Sequence, residues 1–147
     1  MKKLKLLLFV MFTTFALVAC DDNDGMDVRP DQVPSSVTRA FAEKFPNAVM
    51  TEWEKHGSQY KVEFSHEGME MEAWYNADGT WTKTEAPFYG VLPEAVQQYI
   101  ATTYAGYRVE DVDLVEVPND SYYEIELEKN ERLDFLLLIH PDGTPLN

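Results

Sequence analysis

Two periodicities alternate along this chain. Apolar residues fall at Val37, Ala40, Phe41 and Phe45, and again at Leu92, Ala95, Val96, Tyr99, Ile100 and Tyr104. Steps of three and four make one buried stripe on a helix. Pro34 and Pro93 stand near the starts, where a missing N–H goes unneeded, and Pro46 and Gly106 act as stops. After each helix the period changes to two. Tyr60, Val62 and Phe64 share one face of a strand against Lys61 and Glu63, and Met69, Met71, Ala73 and Tyr75 share a face against Glu70, Glu72 and Trp74. Trp81 to Thr84 returns after Asp78-Gly79, a tight-turn signal. In the second stretch Tyr123, Ile125 and Leu127 oppose Tyr122, Glu124, Glu126 and Glu128; Lys129-Asn130 turns the chain, and Leu133, Phe135, Leu137 and Ile139 line the next strand. A short last strand follows Asp142-Gly143, and segments near Ala48 to Lys55 and Arg108 to Val117 supply the first strand of each set.

The order of these elements repeats. Val33-Pro34, Val37, Phe41 and Phe45 recur as Leu92-Pro93, Val96, Ile100 and Tyr104 at an offset of 59, and Asp78-Gly79-Thr80 recurs as Asp142-Gly143-Thr144 at 64. The drift predicts a longer loop around Pro118-Asn119-Asp120 in the second copy. The expected fold is therefore α+β: a tandem repeat of one helix followed by about four meandering antiparallel strands, with the helices on one face of the sheet and the other face open to water. The expected repeats are residues 33–86 and 91–147 of one domain, 33–147.

Ahead of this domain the pattern is different. Lys2, Lys3 and Lys5 precede an apolar run from Leu4 to Leu17, shorter than the ~20 residues a membrane-spanning helix needs, so 1–19 reads as a signal peptide. Leu17-Val18-Ala19-Cys20 resembles the bacterial lipobox, in which the cysteine sulfur carries a diacylglyceryl group. Cys20 is the sole cysteine, so cleavage before it leaves a lipid anchor and no disulfide. Residues 20–32, opening Asp21-Asp22-Asn23-Asp24-Gly25, read as an acidic flexible tether. That run resembles the export signal of surface lipoproteins in Bacteroidetes; in enterobacteria an aspartate after the cysteine goes with inner-membrane retention. The expected location is the bacterial cell envelope, lipid-anchored, at the outer membrane on its periplasmic side or at the cell surface.

Charge narrows the partners. The chain carries −14, and loss of Lys2, Lys3 and Lys5 with the leader leaves −17. Such a field repels nucleic acid and favours cationic partners, although it also serves solubility. No catalytic site is expected. His66-Glu67-Gly68-Met69-Glu70 lacks the second histidine of a zinc protease, and neither a Gly-rich phosphate loop nor a nucleophile elbow occurs. Carboxylates at Glu63, Glu70 and Glu72 fit a solvated strand face better than an acid–base pair. His56, His66 and His140 fall near strand ends as surface residues.

Val33-Pro34, Phe45-Pro46-Asn47-Ala48, Trp53-Glu54-Lys55, Tyr60-Lys61-Val62-Glu63-Phe64, Trp74-Tyr75 and Asp78-Gly79-Thr80-Trp81 together resemble the PepSY-like, β-lactamase-inhibitor-like family of bacterial envelope lipoproteins. The resemblance implies a tandem α/β repeat whose sheet surface engages other proteins, and it carries over no catalytic residues. The expected function is a non-enzymatic module binding a protein or peptide with a basic surface. Its candidate contacts are Trp74 and Tyr122 among Glu63, Glu70, Glu72, Glu124 and Glu126, with Leu136 and Leu138 on the face begun by Arg132 and Asp134. The alternative is a calcium-binding or calcium-regulated protein; no other cofactor and no specific metal ligand is expected.

Overall fold

A computed structural model describes residues 25–130 and 132–146 of the chain. The signal segment, Cys20 and the acidic run Asp21 to Asp24 lie outside the described residues. Eight strands form one antiparallel sheet in strict sequence order: β1 Met26–Val28, β2 Val49–His56, β3 Gln59–His66, β4 Met69–Asn76, β5 Trp81–Pro87, β6 Arg108–Val117, β7 Asp120–Lys129 and β8 Arg132–Ile139. Two helices, α1 Ser35–Lys44 and α2 Glu94–Thr103, interrupt the meander. The class is α+β.

Each helix begins at a proline whose carbonyl accepts the first turn's hydrogen bonds: Val37 N–H to Pro34 O at 3.0 Å, and Gln97 N–H to Pro93 O at 3.0 Å. Phe45 and Tyr104 close the helices through Phe41 O and Ile100 O. Left-handed backbone at Asn47 and Gly106 then turns the chain into the sheet. The buried stripes are those the spacing predicts. Val37 and Phe41 of α1 pack on Tyr60, Val62, Phe64, Ala73 and Tyr75; Val96 and Ile100 of α2 pack on Tyr123, Ile125, Leu127, Leu137 and Ile139.

Both helices cover the same side. Register carries that face across the sheet, from Phe64 to Met71 and, past Ala86, through Leu114 and Tyr123 to Ile139. Around the Asp-Gly turns the two stretches close on their helices alike. Asp78 Oδ1 accepts from Thr80 N–H at 2.8 Å and Asp142 Oδ1 from Thr144 N–H at 2.9 Å. A Cβ on Gly79 would lie 2.6 Å from Ser36 O, and one on Gly143 would lie 3.0 Å from Ala95 O.

Two expectations change. The drift between the stretches lies in longer strands rather than in a longer loop. Both first hairpins turn through two residues, between His56 and Gln59 and between Val117 and Asp120, but β6 and β7 have ten residues each against eight in β2 and β3. A bulge in β8 opposite Leu127 and Glu128 adds the last step. Part of the stretch expected as tether is also built into the domain: β1 pairs with Trp53, Glu54 and Lys55 of β2, Val28 packs on the first core, and Pro30–Gln32 forms a 3-10 turn leading to Val33. Three residues are too few to show a period, so backbone pairing decided the structure there.

Candidate sheet-face site

The face away from the helices is built by the alternate residues. Directly paired positions run Glu52, Glu63, Glu72, Glu85, Val115, Tyr122 from β2 to β7. A second row runs Asp113, Glu124, Leu138, and a third Asp111, Glu126, Leu136. All the predicted contacts therefore share one face. Glu63, Glu70 and Glu72 stand together on β3 and β4, and Glu124, Glu126, Leu136 and Leu138 on β7 and β8. Trp74 and Tyr122 are not brought together: three strand spacings, about 14 Å, separate β4 from β7.

A trough of about 510 Å³ crosses this face from β2 to β6, lined by Glu52, Glu63, Glu70, Glu72, Glu85 and Asp113, with Met50 and Pro87 among its apolar walls. Glu52, Glu85, Asp113 and Met50 are contributions that reading the sequence missed. The alternation of Lys83 with Glu85 and of Asp111 with Asp113 was the available signal; the register joining β5 to β6 was not.

Charge is unevenly compensated here. In the first half the Lys61 ammonium, 12% exposed, lies 2.7 Å from Glu63, 3.1 Å from Glu54 and 3.9 Å from Glu72. Burial works against its charge, but Glu63 and Glu54 outweigh it and raise the Lys61 pKa. Lys83 reaches Glu85 at 2.9 Å. In the second half, the paired positions Asp113 and Glu124, and Asp111 and Glu126, set like charges opposite one another. Burial, reinforced by Glu85, Asp111, Glu124 and Glu126, pushes the Asp113 carboxyl up to about 6. Burial and then Glu85 raise Glu124; burial also raises Glu72, against the pull of Lys61.

Trp74 is no bare anchor. It is half-buried, with the His56 ring centroid at 4.8 Å and Lys83 Nζ 5.0 Å above its own ring, and its Nε1 is enclosed with no hydrogen-bond partner. Its neighbours are His56 and Lys83, whereas carboxylates line the trough, a separation that alternation along one strand does not reveal. Tyr122 is half-buried beside His140, and Leu136 is 46% exposed. His66 Nε2 lies 3.2 Å from the Pro46 carbonyl oxygen. Among the described residues no group of three or more His, Cys, Asp or Glu side chains is arranged to hold a metal ion.

The family model described as "putative beta-lactamase-inhibitor-like, PepSY-like" matches residues 20–72 and 58–140. The chain belongs to this PepSY-like family. Solved structures share this fold. A BLIP-like protein from Bacteroides fragilis is 28% identical, with TM-score 0.65 over 78% of this chain and 84% of that one. A DUF2874 family protein from Bacteroides uniformis is 23% identical, with TM-score 0.68 over 78% and 86%. A protein from Bacteroides eggerthii, described among "putative periplasmic proteins", is 23% identical, with TM-score 0.69 over 78% and 86%. No curated protein matches the sequence.

Proposed function

We propose that this PepSY-like chain is a non-enzymatic, lipid-anchored envelope protein that binds a basic protein or peptide segment on the open face of its sheet. The observation that carries the reading is the row of carboxylates across the bare face, incompletely neutralised by Lys61 and Lys83 and crowded enough to lift Asp113. An incoming Lys or Arg relieves repulsion that the folded chain already bears. Apolar Met50 and Pro87 at the trough, and Leu136 beyond it, supply contact area for the stem of such a residue. The periplasmic description of the Bacteroides eggerthii protein agrees with an envelope location. The lipobox at Cys20 supports anchoring, and the matching helix starts and Asp-Gly turns support duplication of one ancestral unit.

A lysine-rich peptide titrated against the protein is the direct test. Binding should weaken at least about tenfold in E63Q/E72Q/E124Q/E126Q and fall steeply with salt. Unchanged binding in the glutamine variant removes the site. Calcium is the competing ligand: a calorimetric response at millimolar ion with a raised melting temperature would favour it over the peptide.

A further inference from the structure

Charge in the trough is laid out at intervals. Of its six carboxylates, Glu63 and Glu72 have Lys61 at 2.7 Å and 3.9 Å, and Glu85 has Lys83 at 2.9 Å. Among the described residues Glu52, Glu70 and Asp113 have no ion-pair partner. These three stand on alternate strands, β2, β4 and β6. Measured across the strands, two spacings, about 9.5 Å, separate each from the next.

The wall beside them is apolar and strained. Met50 is 74% exposed at the bulge where β2 slips against β3, and its φ of 53° holds a long side chain in a left-handed conformation that glycine and asparagine adopt far more readily. Bulges re-aim side chains. Here the outcome is a flexible thioether, an adaptable apolar contact, among the residues that line the carboxylate trough, with Pro87 of β5 as a second.

These surroundings restrict the backbone of an occupant. A sheet face offers side chains only, and carboxylates accept hydrogen bonds without donating them. An extended segment laid there would press carbonyl oxygens against acceptors, whereas an α-helix bonds its own backbone. A helix also matches the interval. Seven residues rise about 10.5 Å, so positions i, i+7 and i+14 of one helix face reach Glu52, Glu70 and Asp113 in turn through flexible lysine stems.

We propose that the trough binds a free cationic amphipathic peptide of about fifteen residues as an α-helix lying across the strands, with Lys or Arg at heptad spacing over Glu52, Glu70 and Asp113 and an adjoining apolar stripe on Met50 and Pro87. This rests on the reading of the open face as a site for basic partners and adds the partner's form. From β2 to β6 the trough runs about 19 Å, and under a helix about 10 Å wide it offers about 200 Å², a quarter of the ~800 Å² that each side of a stable protein interface buries. That footprint suits a peptide better than a folded protein.

Synthetic peptides of equal length and charge test this against the full chain: one with lysines at heptad spacing beside a leucine stripe, one with the same residues shuffled, and one with proline at the centre of the striped pattern. The striped peptide should bind at least about tenfold tighter than either control and gain helical circular dichroism on binding. Met50→Asn, which suits the left-handed backbone, should leave the melting temperature unchanged or raised yet remove most of that preference, a combination that a merely structural methionine would not give. E52Q/E70Q/D113N should abolish the preference outright. If the lysine-rich peptide binds and the striped one binds no better than its controls, or binds without gaining helix, the helical occupant is overturned and the basic partner stands. If neither binds, both fall.

Discussion

Tyr75 is fully enclosed beneath α1, its ring edge-on to Phe41 at 6.4 Å, and its hydroxyl has no hydrogen-bond partner. An unpaired buried hydroxyl costs stability that removing it restores, so Tyr75→Phe should stabilise the protein by about 1 kcal/mol, read as a rise in the urea midpoint at unchanged slope. Asp113 behaves differently because its penalty depends on pH. Its carboxyl titrates near 6 in the fold against an ordinary 3.8, so between those values the folded state holds the extra proton. Stability is retained below the lower value and lost as pH rises through the upper one. Asp113→Asn should therefore stabilise by about 1 kcal/mol at pH about 8, after allowance for solvent screening, and have little effect at pH about 4. Equal gains at both pH values would show that the cost of ionising a buried, crowded carboxyl is not the cause. The glutamates of the open face were legible from alternation, because a half-buried strand sorts its residues by side. Asp113 was not, since its penalty comes first from burial and then from Glu85 on a neighbouring strand and from Glu124 and Glu126 across a third.

At the scale of elements, what could be read was what local chemistry dictates. The helices follow from a stripe and a proline, and the Asp-Gly turns from the left-handed conformation that glycine tolerates. Gly79 and Gly143 have a second reason that only packing reveals, since each lies against a carbonyl in the first turn of its helix. At Gly79 the Cβ of alanine would meet Ser36 O at 2.6 Å, a backbone atom that moves only with α1; at Gly143 the approach to Ala95 O is 3.0 Å. Gly79→Ala should cost about 3 kcal/mol and Gly143→Ala about 2 kcal/mol, the shared part being backbone strain. Thermal melts of the two variants give the order, and a smaller loss at Gly79 would show that the turn moves off the helix freely. β1 and the lengthened β6–β7 hairpin escaped notice for a complementary reason. Neither alters a local period; both are set by how many residues of one strand find partners on the next.

At the scale of the molecule, the eight-stranded sheet spans two separate cores, one beneath α1 and one beneath α2. The seam between them is short. β5 and β6 pair only from Thr84 to Pro87 against Asp113 to Glu116, with one further bond from Phe88 N–H to Val112 O, whereas β6 and β7 pair nearly end to end. Thr84 and Val115 close the seam in full burial, so the halves are joined firmly but over little length. A defect in one core should thus be felt mainly in its own half. Val37→Ala and Val96→Ala each empty a fully buried position at the same point of the two helices, at a cost of about 2 kcal/mol. Hydrogen exchange should then show amides between Tyr60 and Tyr75 losing about thirtyfold protection in the first variant, with those between Tyr123 and Ile139 changing less than about threefold, and the reverse in the second. Equal losses in both halves would mean that the four-pair seam transmits the full destabilisation, so that the sheet opens as one unit despite its divided core.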